Sequence, residues 1–319
     1  MEKKLEGLRW KCMWVSHLGC VKGCLEYLNS DVTDAWLFGA TGHAFIINMH
    51  EVVCPSGPTA WRTEMLFKLA ENVGYAIGGV FATKSDADFS EKQKQAWDNT
   101  KRAIDKGIPC YGWELDIPEY YVVYGYDDVG YYFSGPLCDS GKGPKPWEEL
   151  GDTQISVLEM YRVQPRHAAD DRKTVKEAFE FVLEHAESPE KWLYPKYKAG
   201  LDGYDAWINA LETGTAHGFG MAYNSAVWSE CRHFAVEFLK EARERLALEL
   251  NPLFDEAIRH YEMVATNLKR VADTFPFHGI KPEHIKDETR CRTALEYVTA
   301  ARNAEESGLK ALEKILSRL

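Results

Sequence analysis

Between Val15 and Asn29 the chain reads VSHLGCVKGCLEYLN, with His17, Cys20 and Cys24 inside eight positions. A cysteine thiolate can attack a carbonyl or bind a metal, and a nearby histidine can act as its base or as a further ligand. Gly19 precedes Cys20 and a short apolar run follows, so a helix is expected to start near Cys20 or Val21 and to run to about Asn29. That start would set the Cys20 thiol at a helix N-terminus, where unpaired N–H groups and the macrodipole stabilise a thiolate. The same N–H groups could hold the oxyanion of an acyl intermediate. Cys24, one turn on, reads as a core thiol. Two readings compete with the nucleophile: both cysteines are packing residues, or His17, Cys20 and Cys24 ligate zinc. Zinc needs a fourth ligand from elsewhere and no second Cys/His cluster stands out, so no metal is expected. The C-x-x-C spacing of a redox pair is absent.

A second stretch, LFGATGHAFIINMH, sets Gly39 and Gly42 in a tight loop ahead of a strand. It carries neither the G-x-x-x-x-G-K-[ST] phosphate loop nor the full G-x-G-x-x-G fingerprint, and no cofactor is expected. His43, at the loop-to-strand junction, is a candidate base or ligand, with a hydrogen-bonded loop histidine as the alternative; His50 reads as structural or exposed. A third stretch, WELDIPEYYVVYGYDD, is dense in aromatic residues. Strand alternation sends Tyr120, Val122 and Tyr124 to one face and Tyr121, Val123 and Gly125 to the other. Trp113, Tyr120 and Tyr124 are therefore candidates to line a binding pocket. Glu114, Asp116 and Glu119 bracket the strand. A carboxylate entering an aromatic pocket has a raised pKa and can act as acid or base. Glu114 and Glu119 are kept as site candidates, and Asp116 reads as solvated. Farther on, Cys231, Arg232 and His233 are adjacent on a helix and point in different directions: Cys231 packs, and Arg232 pairs at a surface or between domains.

The elements that must position these groups fall into two blocks. Residues 1 to about 165 read as mixed α/β. A short helix over DAWLFG is capped by Asp31 or Thr33 and stopped by Gly39. HAFIINMHEVV is a strand candidate. AWRTEMLFKLAENVG is amphipathic and ends at Gly74. Another helix opens near Ser90 and ends at Gly107. Strands follow over IPCYGWEL, EYYVVYGYD, GYYFSG and QISVLEMYRV, with Asp127 and Asp128 in a hairpin turn. The loop CDSGKGPKPWEELGD reads as exposed. Pro165 ends the last strand, and from about Asp170 every periodic segment is helical. Asn224 or Ser225 is expected to cap the helix over AVWSECRHFAVEFLKEARERL, and Pro252 suits the first position of the next helix.

The 319 residues allow about two domains. Apolar residues make up 45% and charged residues 27%, as in ordinary globular chains. The formal net charge of −11, with lysines and arginines scattered among acids, argues against nucleic-acid binding. No apolar run reaches the roughly 18 residues of a membrane helix, and the N-terminus lacks a signal-peptide core, so no membrane partner and a cytoplasmic location are expected. The eight cysteines are then reduced thiols.

HLGCVKGCLEYLNSDVTDAWLFGATGHAF, with its cysteine at a helix start, Leu-rich helix and Gly-rich loop ending in an aromatic, resembles the N-terminal domain of the butirosin biosynthesis protein H family. GIPCYGWELDIPEYYVVYGYDDVGYYF resembles the strands of the same group, which is related to the double-glycine peptidases. The resemblance implies an α+β chain, with a papain-like domain over 1–165 and an all-α domain over 166–319. It also implies transfer of an acyl group from a carrier-protein thioester to an amine, with Cys20 as nucleophile. The histidine and acid of such a site are not matched: Glu119, Tyr120 and Tyr121 stand where the histidine is expected, and Ser134, Gly135 and Pro136 near the acid. His43 or His17 would then be the base and Glu119 an orienting carboxylate. The leading expectation is a thiol-dependent acyltransferase or amide hydrolase acting on a small molecule. The alternative is a non-catalytic small-molecule-binding protein with an aromatic interdomain pocket formed by Trp113, Glu114, Tyr120 and Tyr124. Self-association stays open.

Overall fold

The computed structural model describes residues 2–187 and 189–319. In chain order its elements are β1 (Lys3–Lys4), α1 (Ser16–Tyr27), α2 (Asp34–Ala40), β2 (Asn48–His50), α3 (Glu64–Val73), β3 (Tyr75–Thr83) and α4 (Phe89–Asp105). Strands β4 (Cys110–Trp113), β5 (Tyr120–Tyr126), β6 (Gly130–Ser134), β7 (Lys142–Pro146) and β8 (Val157–Pro165) follow. After α5 (Asp171–Glu187) come β9 (Tyr197–Ala199), α6 (Gly200–Glu212), α7 (Gly218–Arg245), α8 (Asn251–Thr274) and α9 (Glu288–Leu316). The chain is α+β. Its strands form a seven-stranded sheet in the order β3-β8-β4-β5-β6-β7, with β1 on β5, and a separate pair, β2-β9. Every pairing is antiparallel.

Two compact units result. One joins the segment up to Thr33 with Gly74–Ala168, and the other joins Asp34–Val73 with Ala169–Leu319. The second boundary falls close to the expected 165/166. Residues 34–73, grouped by sequence with the strands, pack instead among the helices.

In the sheet unit, α1 lies against β5, β4 and β8. It starts at Ser16, a full turn before the expected start at Cys20 or Val21. The cause is tertiary. The N-terminal segment runs back over α1, where the Lys11 N–H donates to the Gly19 carbonyl at 3.1 Å. A Cβ on Gly19 would strike the Lys11 carbonyl and the Trp10 indole, and one on Gly23 would strike the Arg9 carbonyl. Gly19 is therefore a packing surface inside the helix rather than its entrance. The segment is fixed at its ends by β1 on β5 and by the Trp10 N–H, which donates to Ser134 Oγ at 3.1 Å.

The helical unit has a charge at its centre. Arg232, on α7, is fully buried, not at a surface or between domains as its sequence neighbours suggest. Its Nε and Nη2 donate to the two Glu305 carboxylate oxygens at 2.8 and 2.9 Å, and Nη1 donates to the carbonyls of Ala44 and Ile46, both at 2.9 Å. Tyr204 donates to the same carboxylate at 3.0 Å. This explains why HAFII is not a strand: two of its carbonyls serve a guanidinium, and only Asn48–His50 joins a ladder. Around it Phe45 meets Phe179, Phe238 and Tyr261 edge-on.

Other expectations shift by local chemistry. Asn224 and Ser225 do not cap α7; His217 does, its Nδ1 accepting from the Gly220 N–H at 3.0 Å, and Asn224 lies within the helix. Strand β3 has no counterpart in the sequence reading, and Lys142–Pro146, largely exposed as expected of its loop, pairs with β6 as an edge strand. The Asp127 turn holds, its Oδ1 accepting from the N–H groups of Val129 and Gly130.

Removing one partner of a buried ion pair strands the other. Arg232→Met is therefore expected to destabilise the helical unit by about 3–5 kcal/mol, and Arg232→Met with Glu305→Leu by clearly less. Equilibrium denaturation of both variants measures this; a double variant no more stable than the single one would refute it.

Candidate functional site

Of the groups singled out in the sequence, the fold gathers His17, Glu119, Tyr120 and Trp113 where α1 meets β4, β5 and β8. Trp113 and Tyr120 are register partners across β4 and β5, so their side chains share a face, and Tyr111 pairs with Val122 and Tyr161 beside them. That face meets the first turn of α1. The His17 ring stands edge-on to Tyr111 and Tyr120, at 5.3 and 5.0 Å between centroids, and His17 Nε2 lies 3.0 Å from the Tyr111 hydroxyl. Trp113 packs edge-on to Tyr120 at 4.9 Å. The Tyr120 hydroxyl donates to Glu159 at 2.8 Å. One residue earlier, Ser16 Oγ accepts from the Tyr120 N–H at 3.1 Å and donates to Glu119.

Two buried polar atoms in this cluster have no hydrogen-bond partner among the described residues: His17 Nδ1 and the Trp113 indole nitrogen. Both rings pack on Tyr120. Burial holds the His17 imidazole down at about 4, so it is neutral at pH 7. A base with that pKa is poorly matched to proton abstraction near neutrality. Burial, then the nearby Glu159 charge, push the Tyr120 hydroxyl well up, so it stays a donor.

Cys20 does not sit where a helix-tip nucleophile must. The Gly19 N–H already bonds the Val15 carbonyl at 3.0 Å, so Cys20 lies in the second turn, past the unpaired N–H groups. Its side chain is fully buried. Burial first, then Cys24 and Glu119, push its thiol well above the usual range. Glu119 thus works against a thiolate rather than for one. Cys24 is buried in the same way, as a core thiol.

The side chains of the remaining candidates have other partners. His43 belongs to the helical unit, among Phe38 and Trp61. Glu114, buried and at φ 55°, accepts from the Thr153 hydroxyl at 2.6 Å and from the Ile155 N–H at 3.2 Å, which makes it a loop anchor. Tyr124 packs with Tyr132 and under the Arg9 guanidinium. Sequence reasoning missed Ser16, Tyr111, Glu159 and Tyr161. The alternation of Tyr111 with Trp113, and of Glu159 with Tyr161, was the available signal.

Among the described residues no group of three or more His, Cys, Asp and Glu side chains could hold a metal ion, and no helix is long and apolar enough to cross a membrane. No protein-family model and no curated protein matches the chain.

A depressed histidine pKa has a testable sign. Below an unfolded-state value near 6.5 the unfolded chain binds a proton at His17 that the folded chain refuses until pH falls to about 4. Stability should therefore drop between those values by about 1.4 kcal/mol per pH unit from this residue, with no contribution above pH 6.5. The difference in unfolding free energy between wild type and His17→Phe, followed from pH 7.5 to 4.5, measures it. Parallel curves would show that His17 is not held neutral.

Proposed function

We propose that the chain is a small-molecule-binding protein on a papain-like scaffold whose nucleophile position has gone silent. One observation carries this reading: two buried nitrogens beside the same tyrosine ring, His17 Nδ1 and Trp113 Nε1, have no hydrogen-bond partner among the described residues. An indole N–H can only donate, and leaving it unmet costs about 1–3 kcal/mol. A bound molecule with an oxygen acceptor recovers that cost. The ligand is uncharged at this end, because His17 is neutral and the Glu119 and Glu159 carboxylates already hold Ser16 and Tyr120. The papain-like likeness is supported by an α-helix bearing cysteines against an antiparallel sheet.

A second reading keeps the thiol chemistry and moves it. Cys54 is half-buried, the Ser56 hydroxyl donates to its sulfur at 3.0 Å, and Ser56 bonds the Tyr197 hydroxyl at 2.7 Å. In that reading the chain is an acyltransferase that takes its acyl group from a carrier-protein thioester, or an amide hydrolase that cleaves a small amide.

Two measurements separate the readings. Under native conditions iodoacetamide should label exposed Cys12, leave Cys20 and Cys24 untouched until unfolding, and label Cys54 no faster than Cys12. Fast labelling of Cys20 would make it the nucleophile and overturn the binding reading, and Cys54 outpacing Cys12 would favour the second reading. Screening a metabolite collection by thermal unfolding should then give a ligand that raises Tm in wild type and in Cys20→Ser but not in Trp113→Phe. A shift that survives Trp113→Phe would sink the binding site described here.

A further inference from the structure

The helical unit holds a second pair of buried, unanswered nitrogens, independent of the Tyr120 cluster. His185, on α5, and Trp192, in the loop after it, are almost wholly buried. His185 Nε2 and Trp192 Nε1 have no hydrogen-bond partner among the described residues. Both rings pack edge-on to Phe181, at 5.8 and 5.2 Å between centroids, and His185 also meets Trp61 at 5.6 Å. Trp61 and Phe181 are near parallel, with an interplanar angle of 22°. The Trp61 indole supplies a contrast, because it donates to the Pro58 carbonyl at 3.1 Å.

The walls are held firmly. The Arg62 N–H donates to the Trp192 carbonyl at 2.7 Å, and Trp61 bridges Leu193. The Asn48 amide donates to the carbonyls of Gly57 and Ala60, at 2.6 and 3.0 Å, which ties down the loop that carries Trp61. Gly42, at φ +75°, leaves no room for a side chain: a Cβ there would stand 2.6 Å from Phe181 Cδ1.

We infer that Trp61, Phe181, His185 and Trp192 form a binding site for a small uncharged molecule bearing a carbonyl or hydroxyl oxygen. Trp192 N–H donates to that oxygen, and the neutral His185 ring meets a second polar atom of the same molecule. Charge decides the class. Burial, reinforced by the Arg232 charge, holds His185 down at about 3, so it offers no cation to an anionic ligand. The Arg232 guanidinium is committed to Glu305 and two carbonyls. None of the four walls is a carboxylate, so a cationic ligand would find no counter-charge in them.

The test uses the full chain labelled with 15N in its tryptophan indoles, titrated with acetamide and with phenol. The Trp192 N–H signal is assigned by its loss in Trp192→Phe. A saturable shift of that signal with either probe is expected, with binding weakened about tenfold in His185→Phe, which keeps an aromatic ring and removes both ring nitrogens. Two results overturn the inference: no saturable shift with either probe, which leaves a buried water as the only occupant, or identical titrations in wild type and His185→Phe. The wild-type titration decides the matter alone if His185→Phe does not fold. The Trp113 indole reports separately, so failure here and failure of the Tyr120 site are distinguishable.

Discussion

A guanidinium cannot be left unpaired away from water, and the helical unit is organised around that requirement at Arg232. Four hydrogen bonds occupy four of its five N–H donors, two to Glu305 on α9 and two to carbonyls at 44 and 46. Those carbonyls turn to the guanidinium, and the strand ladder begins only at Asn48. The segment 34–73 is drawn among the helices by this demand and by the packing of α2 on α7. Burial, reinforced by the same charge, keeps the nearby His185 neutral.

The sheet unit turns on a close backbone approach rather than a charge. Because Gly19 and Gly23 have no side chains, residues 9–11 can lie directly on α1. The helix is thereby lengthened at its start, and Cys20 passes from tip to interior. One turn of helix separates a thiol that the macrodipole would activate from one that burial silences. The polar groups left at the helix start, Ser16 and His17, are tied to Glu119 and Tyr111 instead.

How much of this could be read from residues alone follows the range of the forces involved. Helices with a 3.6 period, such as α3, α5 and α8, and the Asp127 turn depend on neighbours a few positions away, and they were legible. So was the shared facing of Trp113 and Tyr120, since strand alternation is local. The start of α1 was misread because Gly19 looks the same whether it opens a helix or receives a crossing backbone. HAFII has the composition of a buried strand, and nothing nearby signals that an arginine 188 residues on takes the Ala44 carbonyl. Spacing and the family resemblance both point to Cys20 as nucleophile, whereas reactivity depends on solvent access, which neither encodes.

The interleaving of the two units also bears on how the chain is made. The ribosome releases α1 and its covering segment first, yet their anchors on β5 and at Ser134 emerge about a hundred residues later. Residues 34–73 wait longer still, since Glu305 follows them by 232 residues or more. Neither unit can finish during synthesis of its own first segment, and both keep apolar stretches such as HAFII waiting for distant partners. Long-range closure of this kind slows folding and exposes intermediates to association. Vectorial synthesis therefore favours expression conditions that lengthen the life of the nascent chain, such as low temperature and abundant chaperone.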